Sequence, residues 1–306
     1  MSQQGLKEID KLLEVLDVSV IQFTDGLPDV QQKTFNKLLL LIKDLKTDVR
    51  GNIVNNVENI KKIQAIKKEV DNLILTKPYL KKVEDFTSVY STVAEINNKY
   101  FSAITTAFKP KPVLKEILKA NVATTVEQLT ETGIAASYGD TIKNILLQNI
   151  TTGGSYADLA NILRDTIIGK EGEDGTLVKY AKQIATDAVN RFNAQYTNSV
   201  TADLGLEWYQ YTGTIIKTSR PFCEAMKRKK YFHKNEIPEL LRGHIGNENV
   251  PIYEKTGLPY GMDKNTNETN FIILRGGHNC GHQIFPVMDS VVPDSVKREV
   301  ELRVGL

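Results

Sequence analysis

The sequence predicts an α+β protein: an elongated, long-helix or helical-hairpin region over residues 1–110, then a compact module over residues 111–306. In that module helices surround a small antiparallel sheet, and a short helix closes the chain. Three observations lead there. Only Gly5, Gly26 and Gly51 precede residue 130, and the other 17 of the 20 glycines follow it. Glycine costs about 1 kcal/mol per helical site relative to alanine, so the early Lys/Glu/Leu/Ile-rich third favours long helices. Apolar residues in that third recur at steps of three and four, the period of one helix face. After Gly205 the chain turns aromatic and β-branched, the composition of strands.

Taken in order, Ile42, Leu45, Val49, Ile53, Val57, Ile60, Ile63, Ile66, Val70 and Leu73 form one stripe along a single expected helix. Lys61, Lys62, Lys67 and Lys68 fall mostly off it. The steps lie close to a heptad seam, which suits a coiled coil or an antiparallel helix pair. Pro78 starts a new segment with a second stripe: Val83, Phe86, Tyr90, Val93 and Ile96. Lys109-Pro110-Lys111-Pro112 breaks the helical run, because proline opposes helix at itself and at the residue before it.

Shorter helices follow. Asp140 is placed to cap TIKNILLQNI, residues 151–154 make a turn, and Ser155 with Asp158 forms a capping pattern for YADLANILRDTII. Leu159, Ile162, Leu163 and Ile167 are its expected buried face. A longer helix spans about Leu177 to Leu204 with Ile184, Ala188, Phe192, Tyr196 and Val200 inward, ended by Gly205 as a C-cap. Strands are expected within Leu206–Ile216, at Phe271–Leu274 and near Gln283–Val287. Residues 235–268, rich in Gly, Pro and Asn, read as surface loop, and SVKREVELR as the last helix.

Bulk properties set the outer bounds. A chain of 306 residues suits about two domains of ~100–200 residues each. Hydrophobic residues make up 41%, charged residues 25%, and the net charge is +2, so no dedicated nucleic-acid or acidic-partner surface is advertised. No apolar run approaches the ~18 residues of a membrane span, and MSQQGLKEIDKLL has no signal-peptide architecture. Two cysteines do not make a disulfide framework, which points to a reducing, cytoplasmic site of synthesis.

The chemistry-bearing residues concentrate between Trp208 and Val287, where both cysteines and all four histidines (His233, His244, His278, His282) fall. In Gly276-Gly277-His278-Asn279-Cys280-Gly281-His282 an extended backbone would send residues 278, 280 and 282 to one face. Cys223 opens an expected helix after Pro221. Three readings fit. Cys223, Cys280 and His282, with His278, could hold a structural zinc ion, whose preferred ligands are thiolate and imidazole. Alternatively Cys223, its pKa lowered at a helix N-terminus, could be a nucleophile with a histidine base and Asn279 as orienter. In the third reading these residues pack and hydrogen-bond inside a small domain, the cysteines acting as small apolar groups. The basic run Lys227-Arg228-Lys229-Lys230, followed by Tyr231, Phe232 and His233, could contact DNA phosphates and stack on bases, or be a solvated surface. There is no Walker-type loop, no HExxH and no GxSxG.

These residues, in this order, resemble the phage head-morphogenesis domain of the Mu F-like family. Gly153-Gly154-Ser155-Tyr156-Ala157-Asp158-Leu159-Ala160 is similar to that family's G-x-S-x-x-x-I/L-A helix opening. Ile184-Ala185-Thr186-Asp187-Ala188 with Asn190 resembles its I-A-R-T-E run, with Asp187 in place of the usual glutamate. Gly205-Leu206-Glu207-Trp208 leads into Tyr211-Thr212-Gly213-Thr214, similar to its strand and turn. Thr218-Ser219-Arg220-Pro221-Phe222-Cys223 resembles the T-R-x-x-C segment, followed by Lys230-Tyr231-Phe232. Residues 276–282 with Pro286-Val287 resemble the G-G-x-N-C-R-H ending and trailing P-V. The likeness covers roughly residues 130–290. Met226 stands where many relatives carry a second cysteine, and Gly281 where an arginine is common.

The resemblance implies a minor capsid protein, made in the host cytoplasm and carried in the virion inside the head near the portal vertex. Its expected partners are the portal protein, other head proteins and the packaged DNA, with no membrane and no small-molecule substrate. The expected work is assembly by protein–protein contact, with an influence on DNA packaging or ejection. Some relatives carry toxin or ADP-ribosyltransferase domains after this module; only 19 residues follow Val287, so no enzyme and no catalytic residue is expected. The alternative is a DNA-binding protein or a co-injected effector, a nuclease or thiol-type enzyme.

Overall fold

The computed structural model describes residues 3–278 and 280–305 and shows an α+β chain with long N-terminal helices and a small antiparallel sheet toward the C-terminus. Helices α1 (Gln3–Thr24), α2 (Leu27–Ile42), α3 (Val57–Ile74), α4 (Lys77–Ile104) and α5 (Pro112–Leu129) come first. A π-helical turn, Glu131–Ala135, leads into α6 (Ala136–Thr152), then α7 (Tyr156–Ile167) and α8 (Thr176–Leu204). Pro78 lies in the first turn of α4 and Pro112 begins α5, where a missing N–H costs nothing.

The first stripe is not one helix. Its residues from Leu45 to Ile53 lie in a loop between α2 and α3, closed by the Asp48 carboxylate accepting from the N–H groups of Arg50 (2.8 Å) and Asn52 (2.9 Å). Gly51 sits there at φ 80°. Asn56 then caps α3 by accepting from Asn59 N–H at 2.8 Å. The periodicity survives the break only in part: Val49 is fully exposed, Val57 largely so and Ile60 exposed, while Ile63, Ile66 and Val70 are buried and Ile74 takes the inward place expected of the half-buried Leu73. The second stripe is buried at all five positions.

Three further expectations shift. Asp140 lies inside α6, paired with Lys67 at 3.8 Å, because the helix starts earlier than its sequence pattern suggests. Ile162 is exposed, and Leu159, Leu163 and Ile167 carry the buried face of α7 alone. On α8 the residues 184 and 188 are half-buried, and Ala181, Ala185 and Val189 take the inward line with Phe192, Tyr196 and Val200. Ser155 caps α7 as expected, accepting from Asp158 N–H at 3.0 Å, and Gly205 ends α8 at φ 62°.

After α8 come β1 (Trp208–Thr212), α9 (Pro221–Lys229), β2 (Tyr231–His233), a 3-10 turn at Lys234–Glu236 and α10 (Ile237–Leu241). Two short hairpins, β3 (His244–Ile245) with β4 (Glu248–Asn249) and β5 (Ile252–Tyr253) with β6 (Leu258–Pro259), occupy the segment expected to be loop. Then follow α11 (Phe271–Leu274), β7 (Gln283–Val287) and α12 (Asp294–Val304). Phe271–Leu274 is thus a helical turn, not a strand: Leu274 N–H reaches Asn270 C=O at 2.9 Å and Arg275 N–H reaches Phe271 C=O at 2.7 Å. The third strand of the sheet is Tyr231–His233 instead.

The sheet order is β2-β1-β7, antiparallel throughout, with Trp208 opposite Val287 and Tyr211 opposite Ile284. Alternation gives the sheet two characters. Tyr209, Tyr211 and Ile284 pack with Phe222, Cys223, Met226, Phe232 and Phe271. Gln283 and Phe285 face the other way, where Phe285 meets Tyr100 of α4 (ring centroids 5.8 Å apart) and the Tyr100 hydroxyl donates to Pro286 C=O at 2.5 Å.

The chain forms two compact units, each discontinuous in sequence. A helical unit comprises Val20–Thr87 and Ala123–Ala185. A sheet unit comprises the described residues up to Ser19, Ser88–Val122, and those from Thr186 onward. A single cut near residue 110 therefore does not separate them. Glycine content tracks where helices are long; it carries no information on which helices pack together.

Candidate functional site

The sheet unit brings the chemistry-bearing residues together from three stretches of chain. Pro221 starts α9 with its fixed φ, which puts Cys223 in the first turn, and α9 packs on β1. Gly276 and Gly277 lead the chain back toward α9, and only glycine fits there. A Cβ on Gly276 would lie 2.8 Å from Cys280 Sγ and 3.0 Å from Cys223 Sγ, and Gly277 has φ 82°. Cys280 and His282 then lie just ahead of β7.

The result is a buried group in which one donor atom each of Cys223, Cys280 and His282 falls within 4.8 Å of the others. The two sulfurs are 4.0 Å apart and unlinked, and Cys280 Sγ lies 3.9 Å from His282 Nδ1. Tyr211 flanks them: its hydroxyl is 3.9 Å from Cys280 Sγ, and its ring stacks on the imidazole of His282 at 5.2 Å. Gly213 permits that stack, since a Cβ there would sit 2.7 Å from His282 Cδ2.

The two thiols differ in their proton affinity. The hydrogen bond shared with Cys280, together with burial, raises the Cys223 thiol above the ordinary range. The same contact lowers Cys280, assisted by His282 and by the nearby Arg275 charge against the cost of burial. Arg275 is fully buried and its guanidinium is pushed downward in pKa by desolvation.

His278 belongs elsewhere. It stands between Asp187 (Nδ1, 3.2 Å) and Asp263 (Nε2, 3.6 Å), largely exposed. The chain at 278 is in a turn, so the extended geometry that would have put it beside Cys280 and His282 does not form. Asn279, the orienter of the nucleophile reading, lies outside the described residues. Met226 is buried in the core one turn after Cys223, and a side chain at Gly281 would enter open space.

Sequence reasoning missed a chain of buried amides behind the site. Asn97 Nδ2 donates to Asn193 Oδ1 (2.8 Å), and Asn193 Nδ2 to Gln283 Oε1 (2.9 Å). Gln283 Nε2 donates to Asn190 Oδ1 (2.7 Å), whose Nδ2 reaches Cys280 C=O at 3.3 Å. Arg275 Nη1 also donates to Gln283 Oε1, at 3.0 Å. The signal was available: Asn97, Asn190 and Asn193 fall on the inward face of helices whose other inward residues are mostly apolar, with threonines such as Thr197 and Thr201 among them.

Arg220 closes the front of the site, donating to Gly276 C=O and His278 C=O, each at 2.5 Å. The basic run is largely engaged within the fold. Arg228 pairs with Glu248 at 2.6 Å, Lys229 is buried against Glu236 at 2.8 Å, and Lys230 lies over the Tyr231 ring at 5.1 Å. Lys227 is exposed. Among the described residues, no helix is long and apolar enough to cross a membrane. These features define an α+β protein built around a buried Cys2His group. Comparison with protein-family models, curated proteins and solved structures finds no match.

Proposed function

We propose that this chain is a phage head-morphogenesis protein of the Mu F-like kind. It acts by protein–protein contact on the portal or inner capsid during head assembly, and influences DNA packaging or ejection. One observation carries the reading. The resemblance begins at Gly153, in the helical unit, and its pieces from Asp187 onward meet in one place: Asp187 with His278, Asn190 with Cys280, Arg220 with Gly276, and Cys223 with Cys280. Residues that matter as an ordered set in sequence are thus also a packed set in space, as a common structural module requires. The group is buried, and a buried knot serves a scaffold better than a site that must admit substrate.

The basic run supports a DNA-binding role poorly, since Arg228 and Lys229 already hold carboxylate partners. The deciding experiment mixes the purified chain with the portal protein of the same phage and follows co-sedimentation. Association at a defined stoichiometry is expected. Failure to associate with portal, procapsid or any other head protein would overturn the reading.

A further inference from the structure

The buried Cys2His group has the dimensions of a metal site, and this inference does not rest on the assembly reading. In a tetrahedral zinc centre with Zn–S about 2.3 Å and Zn–N about 2.0–2.1 Å, simple geometry gives S···S edges of about 3.8 Å and S···N edges of about 3.6 Å. Here two of the three separations are 4.0 Å and 3.9 Å, and the third, between Cys223 Sγ and the His282 ring nitrogen, lies within 4.8 Å. An ion could be seated by drawing the three donors together by about an ångström or less. By contrast, a disulfide requires the sulfurs at about 2.05 Å.

Two observations argue that these side chains are more than apolar filling. The imidazole of His282 is buried with Nδ1 facing only a sulfur, and its Nε2 has no hydrogen-bond partner among the described residues. Ligation through Nδ1, the nitrogen turned toward Cys280 Sγ, would give this buried ring a far stronger partner than a sulfur contact and fix its proton on Nε2. The backbone is also shaped to the sulfurs, since Gly276 admits no Cβ against either of them. The ring plane of His282 is held by Tyr211, and the Cys280 carbonyl by Asn190. Orienting contacts of this kind are what a ligand set needs.

We propose that Cys223, Cys280 and His282 bind one structural Zn2+, with an oxygen at the fourth corner on the side of the Tyr211 hydroxyl. Both thiols ionise on binding and release their protons to solvent, and no redox change occurs. The ion clips α9 to the approach to β7, closing the loop-rich stretch between them. His278 takes no part, being held by Asp187 and Asp263.

The test uses the full chain, purified under reducing conditions without chelator. Metal content is read by mass spectrometry, and the zinc is then exchanged for Co2+. About one zinc per chain is expected, with thiolate-to-cobalt charge-transfer and tetrahedral d–d absorption in the cobalt form. His278→Ala should keep full metal content, whereas His282→Ala should lose most of it. Because His282→Ala could misfold, the cobalt spectrum of the unaltered chain is the deciding measurement. Chelation should also expose both thiols to a thiol reagent. A chain that takes up no cobalt with thiolate absorption, whether its cysteines are free or joined as a disulfide, overturns the proposal. Loss of metal in His278→Ala together with retention in His282→Ala overturns the ligand set.

Discussion

The helical unit and the sheet unit are held together by different chemistry. In the helical unit, α2, α3, α6 and α7 pack through apolar faces such as Ile63, Ile66 and Val70 or Leu159, Leu163 and Ile167, and the polar side chains buried with them, such as Gln31, Asn59 and Asn149, are uncharged. The sheet unit also has an apolar core, but polar and ionisable groups run through it: the Asn97-Asn193-Gln283-Asn190 chain, Arg275, the thiols, and Glu236 with Lys229. Apolar contacts tolerate adjustment, whereas a buried polar group is costly unless its partner is present and well placed. The sheet unit is therefore the one in which single substitutions should have the largest and most position-dependent effects.

The largest effect is expected at Glu236, which is 1% exposed and accepts from Lys229 and Arg303. Glu236→Ala strands the nearly buried Lys229 ammonium and should destabilise by about 3–5 kcal/mol. Trp208, the single tryptophan, lies in this unit beside His233, so its fluorescence during urea unfolding reads the change. A loss under 1 kcal/mol would mean that the pair is dispensable and the contrast between units overstated. In the helical unit, Leu163→Ala on the buried face of α7 should cost about 2–5 kcal/mol, read by far-UV ellipticity. The polar chain comes next: Asn193→Ala leaves Asn97 and Gln283 each short of a partner and should cost about 1–3 kcal/mol. Asn193→Leu should do no better, because the unpaired amides remain. Ser155→Ala, which removes the cap of α7, should cost about 1 kcal/mol.

The same contrast explains what could be read from sequence. Period-three-and-four patterns marked α3, α4, α7 and α8, since burial on a helix face leaves a repeating signature. Ser155 and Gly205 marked helix ends because their side-chain or backbone chemistry is local. The break between α2 and α3 was hidden: Asn59, fully buried, holds that loop by donating to Lys46 C=O (2.9 Å) and Val54 C=O (2.7 Å). An asparagine on a helix gives no sign that its amide serves a loop 13 residues earlier. At the candidate site the residue types identified Cys223, Cys280 and His282, but their separation from His278 depended on a turn at 278 that alternation cannot foresee. The aromatic and β-branched run Phe271–Ile273 looked like a strand, and tertiary context made it helical.

The smallest effect concerns pH and again falls in the sheet unit. Burial lowers the pKa of His233 below its usual value near 6.5, against opposing contributions from Glu207 and Glu236. Its Nδ1 accepts from Asn235 N–H at 3.3 Å, a role that only the unprotonated nitrogen can fill. Between the folded and unfolded pKa values the unfolded chain binds more protons, so stability rises with pH there. The contribution is present above about pH 6.5 and is lost as pH falls toward the folded value. Unfolding midpoints in urea, measured by Trp208 fluorescence between pH 7.5 and 5 (about one to two units either side of the unperturbed histidine pKa), should decline on acidification. In His233→Gln, whose amide oxygen can also accept but does not titrate in this range, the decline should be shallower. An equal decline in both proteins would assign the pH dependence to other groups.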